Sequence, residues 1–441
     1  MQRRLKPLVG IALLSLSISG GANGADSTNG ADSASRAASA AAQYSAADEA
    51  LYRERFQKLQ DSFVTGLGLE EYDPLEPVPG DPAYRPLPIK PPQARSIEET
   101  ALTRARDYAA SNRSTSLLVW RGDGLEHVSH FGATTADQLQ ASRSLAKPMT
   151  AIAVGRAIAL GKIRSLDQPV ADFITEWRGL PRKSTLRVRH LLDMRSGMLP
   201  QSPETGIEHI LNRAYLHPRH DDILINEYPF VDEPGTRYEY SNATSELVAL
   251  LIERATDMRY AQFLSQHVLQ PIGASGGTIW VNRPNGLAHS GCCLMLTAES
   301  WIRLGVLLMN DGRWEGRRLL PSGYVRDMTR GTTENPYYGL GVYVAGDYTP
   351  RRGFLNPARE PDARRVLHGE PYLARDLFMF DGNSNQVLYI VPSARLVVLR
   401  LGAQPPRSPN SEWDNAVLPN VLLRGIRYRA GERRPTPQPA P

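Results

Sequence analysis

The stretch 141-ASRSLAKPMTAIAVGRAIALGKI-163 decides the fold. It runs from a serine, Ser144, through Lys147 three residues later, into a long apolar segment with helical character. Only six of the 51 lysine and arginine residues are lysine, and no other lysine has a serine three positions before it. Three residues apart on a helix start puts the two side chains on one face. A serine hydroxyl is a weak nucleophile until a base takes its proton. Lysine becomes that base when burial or a neighbouring cation lowers its pKa, whereas arginine stays protonated. The helix N-terminus adds free N–H groups and a positive dipole end, both suited to an oxyanion. An ordinary N-cap serine is the competing reading of Ser144.

Working outward, 234-PGTRYEYSN-242 holds the chain's single Tyr-x-Asn, at Tyr240 and Asn242, just before a second helical stretch. A tyrosine phenol meeting the lysine is able to shuttle protons, and an asparagine amide to orient both lysine and substrate. A plain helix cap at Ser241 or Asn242 explains the same residues without chemistry.

Ser-x-x-Lys followed about 100 residues later by Tyr-x-Asn resembles the serine β-lactamase and penicillin-binding protein superfamily. The connecting segments GKIRSLDQPVADFITEW, LRVRHLLDMRSGM and QPIG are similar in order and spacing, and the likeness covers Thr115 to Gly402. Its nearest branch is that of the 6-aminohexanoate-dimer hydrolase and related esterases. The resemblance implies an α+β fold: a mainly antiparallel sheet flanked by terminal helices, with an inserted helical subdomain. It further implies a third motif on a strand, matched here by Phe380-Asp381-Gly382, and an oxyanion hole from the backbone N–H groups of Ser144 and Asn383. The family often places a cation where this chain has Phe380, so small esters or uncharged amides are expected before β-lactams.

The hydropathy pattern agrees with that architecture. Strand-like runs occupy both ends of the body (96–135 and 290–428) and helical patterns the middle (136–289). A positive start at Arg3, Arg4 and Lys6, an apolar run, and small residues at Ala22 and Gly24 read as an export signal over 1–24. An Ala/Ser-rich leader, a short helix and a Pro-rich spacer are expected over 25–95, the hydrolase domain over 96–428, and a disordered tail over 429–441. The net charge of +5 is scattered, which argues against a nucleic-acid partner, and no segment reads as a stable membrane insertion. The only cysteines, Cys292 and Cys293, are adjacent. Adjacent Cα atoms lie about 3.8 Å apart, below the usual disulfide range, which favours two buried thiols over a bridge.

The expected activity is an exported serine hydrolase cleaving a carboxylic ester or amide through an acyl-enzyme on Ser144. Lys147 serves as base, Tyr240 as relay and Asn242 as orienting group, with no metal or organic cofactor. A β-lactamase or D-Ala-D-Ala carboxypeptidase is the alternative enzyme, and a penicillin-binding-like sensor or scaffold the alternative without turnover. Competing patterns rank lower. Gly273-Ala274-Ser275-Gly276-Gly277 has helix and strand reversed for a nucleophile elbow. His289-Ser290-Gly291 ranks second as third motif. His217, His220, Asp221 and Asp222 read as polar side chains of an exposed loop rather than metal ligands, and Tyr337-Tyr338 as cleft wall or strand packing.

Overall fold

The apolar runs at the two ends of the body pair with each other, and this pairing closes the molecule. The computed structural model describes residues 44–65, 72–201, 206–353, 365–406 and 412–439. The expected signal segment 1–24 and the start of the leader lie outside the described residues. Met1–Ala46 and Ala47–Pro441 are separate units, and the description below concerns the second.

Two sheets organise the chain. The first draws on β1 (Leu75–Pro79), β4 (Gln140–Ala141), β5 (Gly276–Trp280) and β6 (Leu294–Leu296), in the order β1-β5-β6-β4. The second is six-stranded and wholly antiparallel. It takes β2 (Ser114–Arg121) and β3 (Gly124–His130) from the start of the body. From its end come β7 (Tyr343–Val344), β8 (Phe378–Gly382), β9 (Gln386–Val391) and β10 (Leu396–Gly402). Their order, β3-β2-β10-β9-β8-β7, puts β2 beside β10 in the interior of the sheet.

Both faces of the large sheet are covered, which is why its strands read as nearly unbroken apolar runs. Side chains alternate between the faces. Leu117, Val119, Val387, Tyr389, Leu396 and Val398 form one core with Leu102 and Ala105 of helix α2 (Glu99–Ser111) and Leu422 and Leu423 of helix α6 (Val417–Arg424). Leu388 and Val397 point the other way, toward helix α5 (Ala298–Met309). Gly305 lets that helix approach closely: a Cβ there would fall 2.5 Å from Val397 Cγ1 and 3.3 Å from Leu388 Cδ2.

Between the sheet-forming ends lie α3 (Lys147–Ala159) and α4 (Asn242–Thr256), packed on each other. Helix α3 is buried on nearly every side, in keeping with its uniformly apolar sequence. The α+β architecture is thus the one expected. Among the described residues, no helix is long and apolar enough to cross a membrane.

Two boundaries differ from expectation. The body does not begin near Ser96, because part of the Pro-rich spacer forms β1 and pairs with β5 from Leu75↔Trp280 to Pro79↔Gly276. Proline lacks the N–H a central strand needs, so Pro77 and Pro79 fit here only because β1 is an edge. The preceding helix, α1 (Ala46–Thr65), is docked through Arg55, which is buried and donates to the carbonyls of Leu216, Asn282 and Asp73. The tail, expected to be disordered, follows the body as far as Gln438. That side chain is buried and bonds the carbonyls of Ala345 and Gly346, so its amide stays satisfied despite the polar, proline-rich sequence around it.

Gly305→Val is expected to lower the unfolding free energy by about 1–3 kcal/mol, because the new side chain has no room against β9 and β10. Urea denaturation measures this, and an unchanged midpoint would refute the packing described.

Candidate active site

Ser144 lies in one turn of 3-10 helix, Arg143–Ala146, which runs directly into α3. Two contacts hold that turn. Ser142 exchanges hydrogen bonds with Leu294 at the start of β6, its N–H donating to Leu294 O and its Oγ accepting from Leu294 N, both at 3.2 Å. Arg143 adopts φ 52°, uncommon for a non-glycine residue. Its guanidinium donates to the Tyr72 hydroxyl at 2.5 Å. The spacer therefore braces the residue just before the serine.

Lys147 is 2% exposed. Its Nζ lies 3.1 Å from Ser144 Oγ, 2.8 Å from Asn242 Oδ1 and 2.9 Å from the Gly291 carbonyl oxygen. It also sits 4.8 Å from the centroid of the Tyr240 ring. Burying an amine is costly unless its hydrogens find acceptors, and here three segments of chain each supply one.

The local sequence explains why Asn242 is available. Ser241 caps α4, its Oγ accepting from Thr244 N at 3.4 Å. The capping role is thereby filled, and the Asn242 amide turns to Lys147. Tyr240 is buried in an aromatic cluster with Tyr238, Tyr338 and Met194, against which Tyr343 packs. The Tyr337-Tyr338 pair splits: Tyr338 joins this cluster, while Tyr337 lies under the Arg352 guanidinium, 4.4 Å from ring centroid to Cζ.

The third motif reaches the same place through its glycine. A Cβ on Gly382 would fall 2.8 Å from Leu145 N and 3.2 Å from Ser144 N, so the end of β8 lies directly against the serine turn. Asn383 follows in a turn that contacts the Arg143–Ala146 segment. Phe380 is fully buried. Asp381 alternates to the opposite face from Gly382, where burial pushes its carboxyl up to about 7 and the Asn415 side chain pulls it part way back. The triplet therefore brings its glycine to the serine, but not the Asp381 side chain.

Two contributors carry no local motif. Arg400, wholly buried on β10, donates to the carbonyls of Ser384 and Asn385 at 2.7 and 2.9 Å and so pins the turn after Gly382. Burial draws its pKa down to about 10, which leaves it charged at neutral pH. Gly291, in the lower-ranked His289-Ser290-Gly291 pattern, supplies a carbonyl to Lys147 although that triplet forms no substrate strand. His289 is buried and stacked on Trp280 at 3.9 Å.

The remaining patterns resolve differently. Ser275 bonds the hydroxyls of Thr297 and Ser300, beside the cap of α5. His217 and His220 are fully buried, contrary to the surface reading, because the docked α1 and the Trp280–His289 stack cover this loop. Asp221 pairs with Arg283, and Asp222 is half-buried beside it. Side-chain atoms of Glu246, His289 and Cys292 lie within 4.8 Å of one another, but the Cys292 sulfur is bonded to Cys293. This bridge corrects the expectation of two thiols. Cys293 takes a left-handed φ of 66°, which turns its sulfur to the side of Cys292, whereas extended neighbours would point to opposite faces.

Glu246 stands one helical turn beyond Asn242 and is 1% exposed. Burial pushes its pKa up to about 7, opposed by His220 and Lys147. An unfolded glutamate titrates near about 4.3. The folded protein therefore retains this proton between the two values, and its stability falls as pH rises across that window. Glu246→Gln is expected to gain stability relative to the unsubstituted protein between about pH 4 and about pH 8. Urea midpoints that keep a constant gap across this range would contradict the assignment.

A family model described as Beta-lactamase matches residues 100–419. The chain is 24% identical to the 6-aminohexanoate-dimer hydrolase of Paenarthrobacter ureafaciens over 357 residues, covering 78% of this chain and 85% of that protein. Among solved structures, a family VIII carboxylesterase superposes with a TM-score of 0.55 at 16% identity, over 75% of this chain and 99% of that one. EstCE1, a hydrolase with promiscuous acyltransferase activity, superposes with a TM-score of 0.53 at 15% identity, over 74% and 97%. The fold, the convergence of its three motif segments and the span of the match together make this chain a member of the Beta-lactamase family, within the superfamily of β-lactamase and transpeptidase-like proteins.

Proposed function

We propose that the protein is an exported serine hydrolase that cleaves a carboxylic ester or amide through an acyl-enzyme on Ser144. The observation that carries this reading is the buried Lys147 amine 3.1 Å from Ser144 Oγ. A neutral lysine amine has two N–H groups and one lone pair. In the form that takes the serine proton, Asn242 Oδ1 and the Gly291 carbonyl, at 2.8 and 2.9 Å, hold the two hydrogens and the lone pair is left for the serine hydroxyl, whereas all three groups accept from the ammonium form.

In the proposed reaction Ser144 Oγ attacks the substrate carbonyl as its proton passes to Lys147 Nζ. The Ser144 and Asn383 N–H groups receive the oxyanion. Tyr240 relays the proton from Lys147 to the departing alcohol or amine. Water, deprotonated through the same pair, then attacks the acyl ester, and the serine regains its proton as the acid leaves. The apolar Phe380 at the family's cationic position supports uncharged substrates. The export reading rests on residues 1–24, and every step uses only side chains, backbone N–H groups and water.

Hydrolysis of p-nitrophenyl butyrate tests the reading. Ser144→Ala and Lys147→Ala are each expected to lower kcat by about 10³-fold or more. A fluorophosphonate should add once to the unsubstituted protein and not to Ser144→Ala. Undiminished turnover in Ser144→Ala, or no adduct on folded protein, would overturn it. Preference is tested separately: efficient penicillin hydrolysis with simple esters untouched would overturn the uncharged-substrate assignment alone.

A further inference from the structure

We propose that the Cys292–Cys293 bridge is a positioning element of the reaction, locking the short segment to which both the lysine and the serine are tied. The inference rests on the acyl-enzyme reading above. Gly291, immediately before the bridge, presents its carbonyl to Lys147 Nζ at 2.9 Å. Leu294, immediately after it, exchanges two hydrogen bonds at 3.2 Å with Ser142, two residues before Ser144. The acceptor that aims the base and the clamp on the serine turn are thus only three residues apart, and the bonded pair is all that separates them.

The bridge constrains that separation. An S–S bond between neighbours closes a small ring around their shared peptide and removes most of its rotational freedom. Cys293 sits at φ 66°, a conformation few non-glycine residues keep without support. Both cysteines are buried, and the Tyr215 hydroxyl lies 3.5 Å from Cys292 Sγ. Opening the ring lets Cys293 relax toward ordinary φ values. The Gly291 carbonyl and the start of β6 then no longer share one fixed geometry. Lys147 keeps its place on α3 but loses the fixed acceptor that turns its lone pair to Ser144. The bridge acts through Gly291 on the base and through Leu294 on the serine turn, so its effect is expected on the chemical step.

The test compares the full-length protein before and after reduction by dithiothreitol, together with the double variant Cys292→Ala/Cys293→Ala. On reduction the S–S bond breaks. The dithiol supplies two electrons and two protons, each cysteine becomes a thiol, and the reagent closes to its own disulfide. Intact mass, up by two hydrogens, verifies the step. Reduced protein and double variant are both expected to lose about tenfold to a hundredfold in kcat on p-nitrophenyl butyrate with KM nearly unchanged. Fluorophosphonate should still label one site per chain, more slowly, and reoxidation should restore the rate of the reduced sample. Loss of labelling stoichiometry in both forms would assign the bridge to folding and overturn the positioning role. So would an undiminished kcat in either form while Ser144→Ala remains inactive, or two free thiols in the fully active protein. Activity persisting in Ser144→Ala would instead strike the acyl-enzyme reading itself.

Discussion

Burying the amine of Lys147 is the constraint on which the site depends. An amine taken out of water must hand its hydrogens to acceptors, and those acceptors must not drift. Here they come from the 3-10 turn before α3, the first residue of α4 and the carbonyl of Gly291. None of the three segments is near another in sequence, except that the turn runs into the lysine's own helix. Packing α3 against α4, and pairing β4 and β5 with β6, is what brings them together.

The large sheet contributes from the opposite side. An interior pairing joins β2, near the start of the body, to β10, near the end. From β10 the sheet extends through β9 to β8, whose last residue, Gly382, abuts the serine turn. Arg400 shows how the sheet's own core governs the rim. A guanidinium with five donors is placed where backbone carbonyls of the turn after Gly382 and of the neighbouring strand ends need partners. It holds that turn through its carbonyls, and the Arg143–Ala146 turn packs against the same turn.

Much of this was legible in the sequence, for physical reasons. Strands covered on both faces announce themselves as apolar runs, and a lysine in an arginine-using chain stands out when a serine precedes it by three. The alternation of β8 also separates Gly382 from Asp381, which a triplet read as letters does not. What stayed hidden depends on tertiary neighbours. A carbonyl such as that of Gly291 has no side-chain signature. Arg400 looks like one more surface cation until its strand proves to be central. The spacing of adjacent Cα atoms speaks against a bridge, whereas the left-handed turn at Cys293, invisible in the sequence, decides where the sulfurs point. Proline density in the spacer correctly signals an extended chain, but not that an edge position makes such a chain a usable strand.

That edge strand has a consequence for the solubility of the fold. β5 is apolar and would present a row of unpaired N–H and C=O groups if nothing lay alongside it. β1 occupies the position with prolines at two of its five residues, so it satisfies β5 on one side while offering an incoming strand a ladder with missing rungs on the other. The proline-rich segment is thus a terminator of sheet growth. A chain shortened to Ser96 would lose the terminator together with the Tyr72 brace on Arg143, and would expose the adhesive border of β5.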